Sequence, residues 1–139
     1  MKVAIIYAST TGNTEAMANA IKDSVLSVTN DVVFGTADSA NADEVLSSDV
    51  LLLGSPAMGD EVLEDSVEEF FGKIEGSISG KKIALFGSYD WGDGQWIRDW
   101  EDRVKAKGGV LATESLIIHL TPEAEDIQKC ADWAKSAVK

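Results

Sequence analysis

Three short clusters of residues could do chemistry, and none of them contains a catalytic dyad or a metal-ligand set. The first, Ser9-Thr10-Thr11-Gly12-Asn13-Thr14, packs hydroxyls, an amide and one glycine together with no Lys or Arg. Such residues at the start of a helix suit an anion, because the first turn leaves N–H groups unpaired and carries the positive end of the dipole. Gly12 lets the backbone approach that anion closely. The Gly-Lys-Ser/Thr ending of a triphosphate loop is missing, and one glycine is too few for a dinucleotide fingerprint. A monophosphate held without a cation is the functional reading; a plain Ser/Thr-rich helix cap is the structural one.

The second cluster is Gly54-Ser55-Pro56-Ala57-Met58-Gly59-Asp60-Glu61. Gly59 gives the peptide after Met58 access to either orientation, and the soft, polarizable Met58 suits contact with a flat aromatic group. Taken alone, a turn with a core methionine explains it as well. The third, Gly87-Ser88-Tyr89-Asp90-Trp91-Gly92-Asp93-Gly94, sets two aromatics among glycines. A large indole in a loop of this kind has a face to cover, either of a ligand or of a satellite core. Together the three clusters describe a pocket for one phosphate and one planar, electron-accepting ring.

The elements that must carry them alternate. Five apolar, β-branched-rich runs stand at Val3–Tyr7, Val32–Phe34, Val50–Leu53, Ile83–Phe86 and from Val110 to Leu120. Several are continuously apolar, as strands buried on both faces of a parallel sheet require. Helical spacings fall between them: Met17, Ala20, Ile21, Val25 and Val28; then Val67, Phe70, Phe71, Ile74 and Ile78; then Ile97, Trp100 and Val104, stopped by Gly108-Gly109. The link from Asp38 to Ser48 is short and weakly helical around Val45 and Leu46. Thr121-Pro122, with proline at the first helical position, opens a last helix whose stripe is Ile127, Cys130, Ala131, Ala134 and Val138. This pattern predicts a three-layer α/β fold, a doubly wound five-stranded parallel sheet, as a single domain over residues 1–139. In such sheets ligands sit beyond the carboxyl ends of the strands, which is where all three clusters fall.

Composition narrows the functions. Twelve Lys+Arg against 24 Asp+Glu give a net charge of −12, which excludes a general nucleic-acid binder. No apolar run approaches the ~20 residues of a membrane span, and the apolar start is too short for a signal peptide. One cysteine, Cys130, excludes an internal disulfide framework and points to the cytoplasm. Cys130 reads as inert on its helix stripe. His119, the only histidine, reads as structural and away from the three loops. From Asp38 to Glu75 there are 11 acids and one base, so this segment holds −10 of the charge.

Over its whole length the chain resembles the flavodoxins of the short-chain type. The resemblance rests on Ser9-x-Thr11-Gly12-Asn13-Thr14, Ala57-Met58-Gly59-Asp60-Glu61 and Gly87-Ser88-Tyr89-x-Trp91-Gly92, and on a last strand without the long-chain insertion. It implies strand order 2-1-3-4-5 and FMN bound tightly but not covalently. It implies a low-potential one-electron carrier, shuttling between a reductase donor and an acceptor through the neutral semiquinone/anionic hydroquinone couple. By the same resemblance Ser9, Thr11, Asn13 and Thr14 would hold the phosphate, with Thr10 and Gly12 in the same loop. Trp91 and Met58 would cover the two faces of the ring. Ser55, Pro56, Ala57, Gly59, Asp60, Ser88, Tyr89, Asp90 and Gly92 would complete the site. Asp90 departs from the family, which has a small residue there; Ala8 and Thr10 alter the wall. Redox partners would dock at the acidic flavin edge of a monomer. The rival on the same fold, an NAD(P)H-dependent FMN quinone or iron reductase, needs a second pocket of which the sequence has no sign. A phospho-acceptor regulator fails, because the first and third runs end in Tyr7-Ala8-Ser9 and Gly54-Ser55 rather than in acids.

Overall fold

The computed structural model describes residues 1–139. Its elements alternate as β1 (Lys2–Tyr7), α1 (Asn13–Leu26), β2 (Asp31–Thr36), α2 (Ala42–Leu46), β3 (Val50–Gly54), α3 (Asp65–Ile74), β4 (Lys82–Tyr89), α4 (Gln95–Ala106), β5 (Val110–Leu111), β6 (Leu116–His119) and α5 (Ala124–Ala137). Every strand pair is parallel, in the order β2-β1-β3-β4-β5, with β6 also beside β4. The central runs are apolar throughout because alternate residues feed two cores. Ala4, Ile6, Leu51, Leu53, Ile83 and Leu85 pack under α2, α3 and α4. Val3, Ile5, Val50, Leu52, Ala84 and Phe86 pack under α1 and α5.

Three details differ from the sequence reading. The last run is not one strand: it breaks between Leu111 and Leu116, and both pieces pair with β4. The polar residues of the break are used, since the Glu114 carbonyl accepts the Trp133 indole N–H at 2.7 Å and Ser115 donates to Glu101 at 2.6 Å. The last helix begins at Ala124, after Pro122, because the Glu123 N–H donates to Asp126 at 2.9 Å and makes Glu123 the cap. Its buried stripe takes Trp133 and Ala137 and leaves Ile127 exposed. Val28 likewise lies exposed beyond the end of α1. Cys130 is fully buried, and burial pushes its thiol up to about 11, so it is neutral and unreactive near pH 7.

Candidate functional site

The first loop leaves β1 and turns into α1 through Gly12, whose φ of 92° is the left-handed turn that starts the helix. Ser9 organises it: its hydroxyl accepts the N–H groups of Gly12 and Glu15, both at 3.1 Å. The N–H groups of Thr10, Thr11, Asn13 and Thr14 donate to nothing in the protein. Four free donors at a helix start, with no cation nearby, suit a phosphate group. The Thr14 hydroxyl lies 2.6 Å from that of Ser88, with both residues buried. That pair ties the first loop to the third.

The second loop is anchored at its root. Ser55 is fully buried: its N–H donates to Phe86 O, its hydroxyl accepts from Glu64 N–H at 3.0 Å, and its carbonyl accepts the Trp96 indole N–H at 3.1 Å. A Cβ on Gly87 would stand 2.1 Å from that same carbonyl, so only glycine fits between β4 and this loop. Ala57 N–H donates to Ser88 O at 2.9 Å, and Met58 to Glu61 form a turn closed by Glu61 N–H to Met58 O at 2.7 Å. Gly59 and Asp60 are exposed at its tip.

Glu61 has a role the sequence reading did not find. With φ at 53° it turns its carboxylate onto the third loop, where one oxygen accepts the N–H groups of Asp93 (3.3 Å), Gly94 (3.2 Å) and Gln95 (3.2 Å). It thereby caps α4, whose own cap position, Gly94, has no side chain. Gly92 explains itself here: its φ is 91°, and a Cβ would stand 2.5 Å from the Glu61 carboxylate.

The third loop continues β4, which runs to Tyr89 opposite His119 of β6. His119 is therefore not remote from the loops: its ring lies 4.9 Å from that of Tyr89, and its Nε2 is 2.7 Å from the Asp90 carbonyl. The pairing depends on how β6 registers against β4, which spacing along the chain does not reveal. Trp91 projects from the loop with 60% of its surface exposed.

These loops enclose a cleft of about 300 Å³ lined by Thr10, Thr11, Asn13, Pro56, Ala57, Met58, Gly59, Ser88, Tyr89, Asp90, Trp91 and Leu120. Its size lies at the small end of the range for ligand pockets. Of the sequence candidates, Ser9, Gly12, Thr14, Ser55, Asp60 and Gly92 stand behind or beside its walls. Leu120 is new; it follows β6 at the same sheet edge with φ at 62°, and an apolar residue just before Thr121-Pro122 was the available signal. Thr10, Thr11 and Asn13, with their free N–H groups, share this lining with Met58 and Trp91. Asp90 is the only charged residue in the lining. The donor set fits a phosphate-bearing planar ring such as FMN.

Comparison with known proteins identifies the family. A family model described as flavodoxin matches residues 5–133. The chain is 46% identical over 132 residues to a flavodoxin of Clostridium beijerinckii, covering 94% of this chain and 95% of that one. It is 42% identical over 136 residues to a flavodoxin of Megasphaera elsdenii, covering 97% and 99%. The solution structure of two-electron reduced Megasphaera elsdenii flavodoxin superposes with a TM-score of 0.85 at 41% identity, covering 97% of each chain. The chain belongs to the flavodoxin family, whose members bind FMN and carry electrons rather than act as enzymes.

Proposed function

We propose that residues 1–139 work as one FMN-binding domain, a monomeric cytoplasmic carrier that moves electrons singly between a reductase and a low-potential acceptor protein. The semiquinone/hydroquinone couple is its working pair. The observation that carries this reading is the cleft itself, whose lining joins free N–H donors to a methionine and an exposed indole, with no acid–base dyad along it. FMN supplies the electron chemistry when bound; the protein supplies position and electrostatics. Thr10, Thr11, Asn13 and Thr14 hold the phosphate through N–H groups, Thr11 and Asn13 through their side chains as well, with Ser9 and Gly12 shaping their loop. Met58 and Trp91 flank the ring. Pro56, Ala57, Gly59, Asp60, Ser88, Tyr89, Asp90 and Gly92 complete its surroundings, and Ser55 anchors the second loop.

The acids from Asp60 to Glu69 suit encounter with a basic partner, but half of their charge has internal work. Glu61 caps α4, Glu64 caps α3, and Glu68 shares Arg103 with Glu75 in contacts of 2.7 Å and 3.1 Å. Both acids hold the Arg103 guanidinium well above its ordinary pKa. Asp60 and Asp65 are left as the steering charges, together with Glu69, whose exposed carboxylate lies 4.0 Å from the Lys73 ammonium. Steering of this kind weakens with salt over the ~10 Å screening range at 0.1 M. The test is stopped-flow electron transfer from a flavodoxin reductase. Reduction by NAD(P)H only when the reductase is present, with a rate that falls as salt rises, supports the reading. Direct oxidation of NAD(P)H by the chain alone, with turnover of a quinone, contradicts it.

A further inference from the structure

At the end of β6, two neighbouring residues take hold of two consecutive carbonyls of the third loop. The Leu120 N–H donates to Tyr89 O at 2.8 Å, and His119 Nε2 lies 2.7 Å from Asp90 O. A carbonyl only accepts, so Nε2 carries the proton in this contact. The peptide from Asp90 to Trp91 is trans, and a trans peptide points its N–H opposite to its carbonyl. With the carbonyl held toward β6, the Trp91 N–H is turned away from β6, and it donates to nothing in the protein. Asp90 and Trp91 both line the cleft.

We propose that His119 is a positioning residue for the ring end of the cleft. Through the Asp90 carbonyl it sets the Asp90–Trp91 peptide, and with it the one N–H and the indole that this peptide presents to the flavin. The inference rests on the cleft being the FMN site. The competing role is packing alone, since the imidazole also lies against the Tyr89 ring at 4.9 Å.

Two variants separate donor from ring. His119→Phe keeps an aromatic ring on Tyr89 and removes the proton donor; His119→Gln keeps an N–H donor at similar reach and removes the ring. The side chain is exposed, so both changes leave the core untouched. Affinity is read by titrating apoprotein with FMN and with riboflavin and following flavin fluorescence. The potential of the second one-electron step is read on the holoprotein. The expected result is an affinity about fivefold weaker for both ligands in His119→Phe, the worth of one neutral hydrogen bond. A lowered second potential accompanies it, and His119→Gln stays within about twofold of the parent. Unchanged affinity and potential in His119→Phe, or an equal loss in both variants, overturns the proposal in favour of packing. Trp91→Ala serves as the control for the site: if it leaves FMN binding intact, the cleft assignment falls and His119 with it.

Discussion

Removing the Glu61 carboxylate tests whether the second loop holds the third. In Glu61→Ala the N–H groups of Asp93, Gly94 and Gln95 lose their shared acceptor, and α4 loses its only side-chain cap. Loss of a capping side chain costs about 0.5–2 kcal/mol, and loss of a negative charge at a helix start about 0.3–1 kcal/mol. The three contacts share one oxygen at 3.2–3.3 Å and Glu61 is only partly buried, so roughly 1.5 kcal/mol is the reasoned figure. The positive φ at position 61 adds nothing, because alanine carries the same Cβ. Urea unfolding of the apoprotein should show a lower midpoint with an unchanged slope. Glu61→Gln keeps an acceptor oxygen without the charge and should lose about half as much. Gly92→Ala makes the test specific. Its Cβ would meet the carboxylate at 2.5 Å, so part of its cost should vanish in the Glu61→Ala background. An unchanged midpoint in Glu61→Ala, or a Gly92→Ala cost equal in both backgrounds, refutes the tie.

Four further outcomes are expected. Thr11→Ala with Asn13→Ala should weaken FMN more than riboflavin, by about 1 kcal/mol per lost bond and more where the phosphate charge is involved, whereas equal losses would move the phosphate elsewhere. Thr14→Ala should instead lower apoprotein stability as well, because it strips the buried Ser88 hydroxyl of its partner. A Cβ at Gly59 meets nothing within 4 Å, so Gly59→Thr should leave oxidised FMN affinity unchanged; a form needing positive φ there would cost roughly 1–2 kcal/mol more, and the blue semiquinone should shrink in a redox titration. An undiminished semiquinone contradicts that. Asp90 is exposed in the cleft wall; at an effective dielectric of ~20 and roughly 8 Å its charge opposes an added electron by up to about 2 kcal/mol, halved by solvent. Asp90→Asn should therefore raise the second potential by tens of millivolts, at 59 mV per about 1.4 kcal/mol, and unchanged low-salt potentials would show that the charge is fully screened.

The layers were legible because the signals behind them are local, whereas the strand order, which involves crossovers between distant runs, came only with the family resemblance. A run such as Val50–Leu53 can be apolar throughout only when both faces are covered, and Leu51 and Val50 do feed opposite cores. The three loops were legible because strand ends converge at one edge of a doubly wound sheet. What escaped depends on partners far along the chain. Glu61 reads as one acid among many until α4 brings three N–H groups against it, and His119 reads as remote until β6 registers Tyr89 beside it. Thr14 and Ser88 each look like surface hydroxyls, yet they are buried on one another across 74 residues. The split of the last run and the exposure of Ile127 have the same cause, since Trp133 takes the Glu114 carbonyl and claims the stripe.

Anaerobic stepwise reduction of the yellow holoprotein, followed by absorbance, tests one-electron carriage most directly. Two separate stages are expected, with a blue neutral semiquinone accumulating near half-reduction before the spectrum bleaches to the hydroquinone. A single two-electron bleach with no semiquinone at any point of the titration would contradict it.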